Sequence, residues 1–249
     1  MKLICLVCGY KKKDDQMQLV IGDVHGCYKS LRRLVEEIIG VNKDDKIYFV
    51  GDYIDRGPSG KQVLDYLIKL RDSGYEVYTL KGNHEEMLIN AYLNQSSNNF
   101  MLWMMNGADT TFRSYGIESH ALTDESSLNE LPEDHMSFLR KMPYYYELED
   151  YIIVHAGINF DAKSPFEDIT SMVWCRDCEN DLSASGGRTI IHGHTPVPLE
   201  FIQSSLQSGI PKDINLDAGC VYKDIVGLGN LVALDMESMQ LYSTENIDF

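Results

Sequence analysis

An α/β fold of layered β-sheets flanked by helices is predicted by three features of the sequence. Short apolar runs of strand type alternate with segments of helical periodicity through the first half of the chain. The first three runs each end in a glycine followed by a polar oxygen-bearing residue: Gly22-Asp23, Gly51-Asp52 and Gly82-Asn83. Open α/β sheets carry functional groups at the carboxyl ends of strands. Further apolar runs recur toward the C-terminus with no linker, repeat or low-complexity tract between them, which predicts one domain.

Residues 18–22 (QLVIG) read as the first strand. Leu31, Leu34, Val35, Ile38 and Ile39 then recur at the spacing of a one-sided helix, which Gly40 stops. Residues 46–50 (KIYFV) give a second strand, and residues 59–73 a helix with Val63, Leu67 and Leu70 on its buried face. A third strand is expected at 75–80 (YEVYTL). Residues 85–142 read as helical and loop-rich, with a Met/aromatic patch at Phe100–Met105 assigned to core packing. His120 and His135 lie in polar stretches and are expected at the surface, and Tyr144–Tyr146 are expected to pack. Strands resume at 151–154, 188–191, 214–217 and 230–235.

At 249 residues the chain is long enough for one large α/β core. Its formal net charge of −16 argues against a nucleic-acid duplex as partner, because a groove for one needs a basic surface. No apolar run reaches the roughly 18–20 residues that span a bilayer, so no membrane association is expected. The first residues (MKLICLVCGYKKKDD) place their basic cluster after the apolar stretch, unlike a secretory signal. Residues 1–16 are expected to be a leader, residues 17–249 the catalytic domain, and the location cytoplasmic. Six cysteines, Cys5, Cys8, Cys27, Cys175, Cys178 and Cys220, are accordingly expected as reduced thiols. Cys5/Cys8 and Cys175/Cys178 have the internal spacing of zinc-binding pairs, but most of the chain separates one pair from the other.

Five short motifs carry the chemistry: GDVHG at 22–26, GDYIDRG at 51–57, GNHE at 82–85, HAG at 155–157 and HGHT at 192–195. Each alone is ordinary turn chemistry. Together each follows a strand and each presents a carboxylate, an amide oxygen or an imidazole, the ligand types that suit first-row divalent ions. His192 sits where an apolar strand residue is expected and reads as a hydrogen-bonded imidazole outside the ligand set.

These strings, extended to GDVHGCY, GDYIDRGP and GHTPV and joined by W-x-R at Trp174, resemble the phosphoprotein-phosphatase family of metallophosphoesterases. The likeness runs from about Gln18 to about Met236. It is strongest to compact bacterial and phage lambda-type serine/threonine protein phosphatases, with diadenosine tetraphosphatases as relatives. The resemblance implies a calcineurin-like metallophosphoesterase fold and two divalent metal ions, manganese foremost, with iron, zinc, cobalt or nickel as alternatives. One ion would be held by Asp23, His25 and Asp52, the other by Asp52, Asn83, His155 and His194. Six residues thus fill seven ligand positions, with Asp52 as the bridge. A water activated by the ions would attack phosphorus in line. His84 would be the general acid, Asp55 its carboxylate partner, and Arg56 and Arg176 the clamps on phosphate oxygens.

The substrate expectation turns on Asp55. Symmetrically cleaving tetraphosphatases of the family usually read GDxxARGP and GNHD and carry an aromatic residue after the GH pair. This chain has Asp55, Glu85 and Thr195 at those places. An alkoxide leaves poorly and needs an oriented acid, whereas a phosphate leaving group does not. The expected substrates are phosphoserine and phosphothreonine in proteins or peptides, with phosphotyrosine as a further candidate. The alternative is a bis(5'-nucleosyl)-tetraphosphatase or a broader nucleotide phosphoanhydride hydrolase. A catalytically idle scaffold is disfavoured, because no ligand position is substituted.

Overall fold

A computed structural model describes residues 16–117, 125–207, 209 and 211–249. The expected leader, the Cys5/Cys8 pair and His120 lie outside the described residues, apart from Gln16. Nine strands form two sheets among the described residues: β1 (Gln18–Ile21), β2 (Lys46–Phe49), β3 (Glu76–Thr79), β4 (Tyr145–Glu147), β5 (Tyr151–Val154), β6 (Thr189–His192), β7 (Asp213–Asn215), β8 (Asn230–Asp235) and β9 (Gln240–Glu245). The first sheet has the order β3-β2-β1-β8-β9, with β1, β2 and β3 parallel and β8 and β9 antiparallel additions. The second has the order β4-β5-β6-β7, with β5, β6 and β7 parallel.

Alternation along the strands explains the layering. Val20, Tyr48, Val50, Val232 and Leu234 of the first sheet meet Ile153, Ile191, Ile214 and Leu216 of the second in one apolar layer. The opposite face of the first sheet, Ile21, Ile47, Phe49, Leu231 and Ala233, packs against the helices. Ile152, Val154 and Ile190 face outward from the second sheet, against Met172 and Ile158. Strands buried on both faces read as continuous apolar runs, which is why KIYFV and YIIV stand out in the sequence.

The helical layer over the first sheet comprises α1 (Tyr28–Arg32), α2 (Gly60–Asp72), α3 (Asn83–Asn94), α4 (Ser97–Met104), α5 (Ala108–Ser114) and α6 (Glu133–Arg140). The last four form the helical segment expected over 85–142. Further helices are α7 (Ile169–Trp174) and α8 (Leu199–Gln207), whose Ile202 enters the layer between the sheets. The expected helix around 31–39 is only half α-helical. Beyond Arg32 it widens into a π-helix over Arg33–Ile39 and closes at Gly40 in the left-handed region. Wider winding turns each residue through a smaller angle, so Ile38 slips off the buried face and is exposed.

Three expectations change. His135 is buried, not at the surface, held between the Tyr115 hydroxyl at 2.6 Å and Asp65 at 3.1 Å. The Phe100–Met105 patch is split: Phe100 and Trp103 are core, while Met101, Leu102 and Met105 are exposed. Four of the named elements were not expected from the sequence, β4, α7, α8 and β9; β9 is an edge strand of largely polar residues (QLYSTE). No helix among the described residues is long and apolar enough to cross a membrane.

The two sheets come into close contact at the carboxyl ends of β1 and β7. A Cβ on Gly22, just past β1, would lie 2.0 Å from the carbonyl oxygen of Leu216, just past β7. That oxygen belongs to the backbone and cannot swing aside. Gly22→Ala is therefore expected to destabilise the protein by about 3 kcal/mol and lower its melting temperature by roughly 6–12 °C. Thermal unfolding followed by circular dichroism checks this, and a shift under about 2 °C would show that the sheets are not in contact there.

Candidate metal centre

The residues past β1, β2, β3, β5 and β6 meet in one buried cluster at this sheet junction. Asp23, His25, Asp52, Asp55, Asn83, His84, His155 and His194 are all at most 8% exposed. Among the described residues, seven non-glycine residues have positive φ, and five of them are His25, Asp52, Asp55, Arg56 and His194. Such backbone costs about 1–3 kcal/mol per residue and persists only where the surroundings impose it. Close approach adds a second requirement. A Cβ on Gly82 would fall 2.1 Å from Asp52 Oδ1, and one on Gly193 would fall 2.0 Å from Asp23 Oδ1.

Backbone carbonyls set the imidazole tautomers. His25 Nδ1–H donates to Ile54 O at 2.9 Å and His155 Nδ1–H donates to Val50 O at 3.0 Å. The Nε2 lone pairs of both rings then face Asp52, with His25 Nε2 at 3.4 Å from Oδ2 and His155 Nε2 at 3.5 Å from Oδ1. Asn83 Oδ1 lies 3.0 Å from both His155 Nε2 and His194 Nδ1. Acceptors converging on acceptors repel unless a cation sits among them.

Two groups of ligand atoms lie within 4.8 Å of one another, His25/Asp52/His84 and Asp52/His155/His194. Asp52 belongs to both, as a bridging carboxylate must. His84 Nε2 and His194 Nε2 are buried without a hydrogen-bond partner. Asp23 joins neither group; its carboxylate accepts the backbone N–H of His194 at 3.1 Å.

The electrostatics agree with a cation site. Burial lowers the pKa of His25 and His155, and burial with the neighbouring His155 lowers that of His194 to about 3, so these rings are neutral and able to ligate. Burial and the charges of Asp217 and Asp52 hold Asp23 well above the usual carboxylate range, and burial pushes Asp217 up to about 7. Three carboxylates buried this closely call for positive charge nearby. One such charge is present: Arg56 Nη1 lies 2.7 Å from His25 Nε2, and its guanidinium sits over the Tyr222 ring. The donor set therefore fits a pair of divalent cations.

The His84–Asp55 pair is fully buried and adjoins this cluster, with His84 Nε2 4.0 Å from Asp52 Oδ2. His84 Nδ1 lies 2.7 Å from Asp55 Oδ2. Although burial opposes it, the carboxylates of Asp52 and Asp55 raise the His84 pKa and favour the protonated ring. Asp52 is held below the usual carboxylate range, because the surrounding imidazoles and Arg56 outweigh its burial. Asp55 also accepts from the Trp103 indole at 2.8 Å and the Thr111 hydroxyl at 2.6 Å.

Arg176 is exposed on the loop after α7, near enough for its charge to lower the His194 pKa. Cys175 and Cys178, which flank that arginine, form a disulfide, against the expectation of reduced thiols. Their Cα atoms are 5.8 Å apart, within disulfide range. Paired with each other, they offer no thiolates to zinc. The Cys178 Cβ lies 3.0 Å from where a Cβ on Gly157 would be, two residues from His155. Cys27 and Cys220 are buried free thiols. His192 is half-buried and its Nδ1–H donates to Gly193 O at 3.1 Å, outside both ligand groups as expected.

Four contributors had no functional reading in the sequence: Glu85 as a staple, Asp217, Trp103 and Thr111. Glu85 accepts the backbone N–H groups of Asp52 at 2.9 Å, Tyr53 at 2.8 Å and Gly82 at 2.9 Å, tying the loop after β2 to the start of α3. Its signal was available, a glutamate at the third position of a helix. Asp217 repeats the strand-then-carboxylate pattern of Asp23, in Leu216-Asp217-Ala218-Gly219. Nothing in sequence spacing ties Trp103 or Thr111 to Asp55.

Comparison with known proteins agrees with this geometry. Residues 18–223 match the family profile described as calcineurin-like phosphoesterase. The asymmetrical bis(5'-nucleosyl)-tetraphosphatase PrpE of Anoxybacillus flavithermus is 28% identical over 90% of this chain and 94% of its own. A crystal structure provisionally named a diadenosine tetraphosphatase superposes with a TM-score of 0.64 at 17% identity, covering 95% of this chain and 96% of that one. A Saccharomyces cerevisiae protein serine/threonine phosphatase similar to human PP5 gives 0.62 at 16% identity, over 95% of this chain and 82% of that one. The two structural likenesses establish the fold. With a profile match spanning most of its length, the chain belongs to the calcineurin-like phosphoesterase family.

Proposed function

We propose that this metallophosphoesterase hydrolyses phosphomonoesters, with phosphoserine and phosphothreonine in proteins or peptides as preferred substrates and phosphotyrosine as a further one. The observation that carries the reading is the buried His84–Asp55 pair, whose ring nitrogen Nε2 is left without a partner. An alkoxide needs a proton as it departs, and an imidazole held by a carboxylate supplies one in a fixed direction.

In this reading Asp23, His25 and Asp52 would hold one cation, and Asp52, Asn83, His155 and His194 would hold the other, with manganese the leading candidate. When bound, the two ions neutralise phosphoryl oxygens and make a water nucleophilic near neutral pH. The protein's own groups do the rest. Arg56 and Arg176 bind phosphate oxygens through their guanidinium forks. Arg56, whose Nη1 lies 2.7 Å from His25 Nε2, would turn its guanidinium to the phosphate if that ring nitrogen ligated a cation. His84 protonates the leaving oxygen, and Asp55 holds the ring.

A second reading, asymmetrical cleavage of dinucleoside tetraphosphates, is favoured by the named activity of the PrpE relatives. Both readings use the same cations and arginines and differ in the leaving group. Measuring kcat/KM on a phosphoserine peptide and on diadenosine tetraphosphate, with manganese and with chelator, separates them. A preference for the peptide is expected; a preference for the dinucleotide, with unequal nucleotide products, would install the second reading.

Asp52→Asn is expected to lose metal and activity together, read by metal analysis of the purified protein, and two ions per chain in that variant would remove Asp52 from the bridge. His84→Asn is expected to keep metal and lower kcat on phosphoserine peptides by about 100-fold. Its loss on p-nitrophenyl phosphate, whose leaving group needs no proton, is expected to be much smaller, and equal losses would argue against His84 as the acid. Arg176→Ala is expected to raise KM and the inhibition constant of inorganic phosphate; no change in either would place Arg176 outside the phosphate site.

A further inference from the structure

The helical layer reaches beneath the metal centre through two side chains. Trp103 of α4 is fully buried, packs its ring 5.1 Å from that of Phe112, and points its indole N–H at Asp55 Oδ2. Thr111 of α5 is also fully buried and donates its hydroxyl to Asp55 Oδ1, while accepting the Asp55 backbone N–H at 2.9 Å. Asp55 itself sits in the left-handed backbone region with φ 67°. Each of its oxygens therefore has a fixed donor besides His84, whose Nδ1 shares Oδ2 with the indole.

An indole N–H donates and never accepts, so Trp103 can serve only the carboxylate. A carboxylate with a single partner can rotate about its Cβ–Cγ bond; one fastened at both oxygens cannot. Its plane then sets the direction of the His84 Nδ1–H bond and, through the rigid ring, where Nε2 points. A tryptophan that served packing alone would not need its only polar atom 2.8 Å from this oxygen.

We propose that Trp103 and Thr111 are positioning residues for proton donation: the indole N–H and the threonine hydroxyl lock the Asp55 carboxylate, and so aim His84 Nε2 at the leaving oxygen. The proposal rests on the reading of His84 as the proton donor. It gives the 85–142 segment a part in the chemistry, although that segment contributes no residue to the ligand set beyond α3.

The test compares substrates that differ in their need for a proton. In the metal-loaded full chain, Trp103→Phe keeps an aromatic ring against Phe112 and removes the N–H. It is expected to lower kcat on phenyl phosphate, a poor leaving group, by about tenfold or more, and on p-nitrophenyl phosphate by less than about threefold. KM and metal content are expected to stay within about twofold of the parent. Thr111→Val is expected to show the same split, and Thr111→Ser, which keeps the hydroxyl, to abolish it. If Trp103→Phe does not fold, the Thr111 pair decides alone. In a His84→Asn background neither change should lower kcat further, because the group they aim is gone. Equal losses on both substrates, or no loss, in folded and metal-replete variants would overturn the proposal. If His84→Asn itself fails to separate the two substrates, the proton-donor reading fails instead, so the two failures are told apart.

Discussion

Everything near the sheet junction answers to one electrostatic constraint. Asp23, Asp52 and Asp217 are buried within reach of one another's charge, and the lone pairs of His25 and His155 point into the same space. Such a set is unfavourable on its own, since charge out of water needs a counter-charge or a proton. The surrounding backbone is committed to maintaining it. Five site residues accept left-handed geometry, Gly82 and Gly193 let the main chain pass beside carboxylate oxygens, and Glu85 gathers the N–H groups of the loop after β2. A protein holding only itself together would relax these features; a protein holding cations has to keep them.

How much of this could be read from the sequence follows from where each signal lies. The candidate ligand positions were legible because each follows an apolar run directly, so local pattern and proposed function coincide at Asp23, Asp52, Asn83, His155 and His194. The sheets themselves were legible where both faces are buried, and β9 was not, because an edge strand needs few apolar residues. The π-turn at Arg33–Ile39 escaped because hydrophobic spacing presumes α-helical winding. Trp103 and His135 escaped for a different reason: each is defined by hydrogen bonding to residues remote in sequence, and an aromatic in an apolar patch or a histidine in a polar one looks the same with or without such partners. The Cys175–Cys178 disulfide escaped because reduced thiols were expected for the whole chain from the lack of a secretory signal, a feature remote from the local geometry that brings these two together.

Substrate choice is the property on which relatives and geometry pull differently. Proteins named as tetraphosphatases and proteins named as protein phosphatases share this fold, so the fold cannot choose between them. What distinguishes leaving groups is their need for a proton, and in the proposed reading that duty would fall to His84 with Asp55, which is fastened from two helices. Specificity here would reside below the cleft, in the support of one carboxylate, as well as in the walls that touch the substrate.

The proposed ligands of the second cation come from both sheets: Asp52 and Asn83 follow strands of one, His155 and His194 strands of the other. A cation held by these four could exist only while the sheets are docked, so its binding free energy would be added to that of folding. At a free concentration 100 times its dissociation constant, such a cation adds about 2.7 kcal/mol to the folded state. The free energy of folding would then follow the logarithm of metal supply, and scarcity would thin the population of the enzyme as well as its activity.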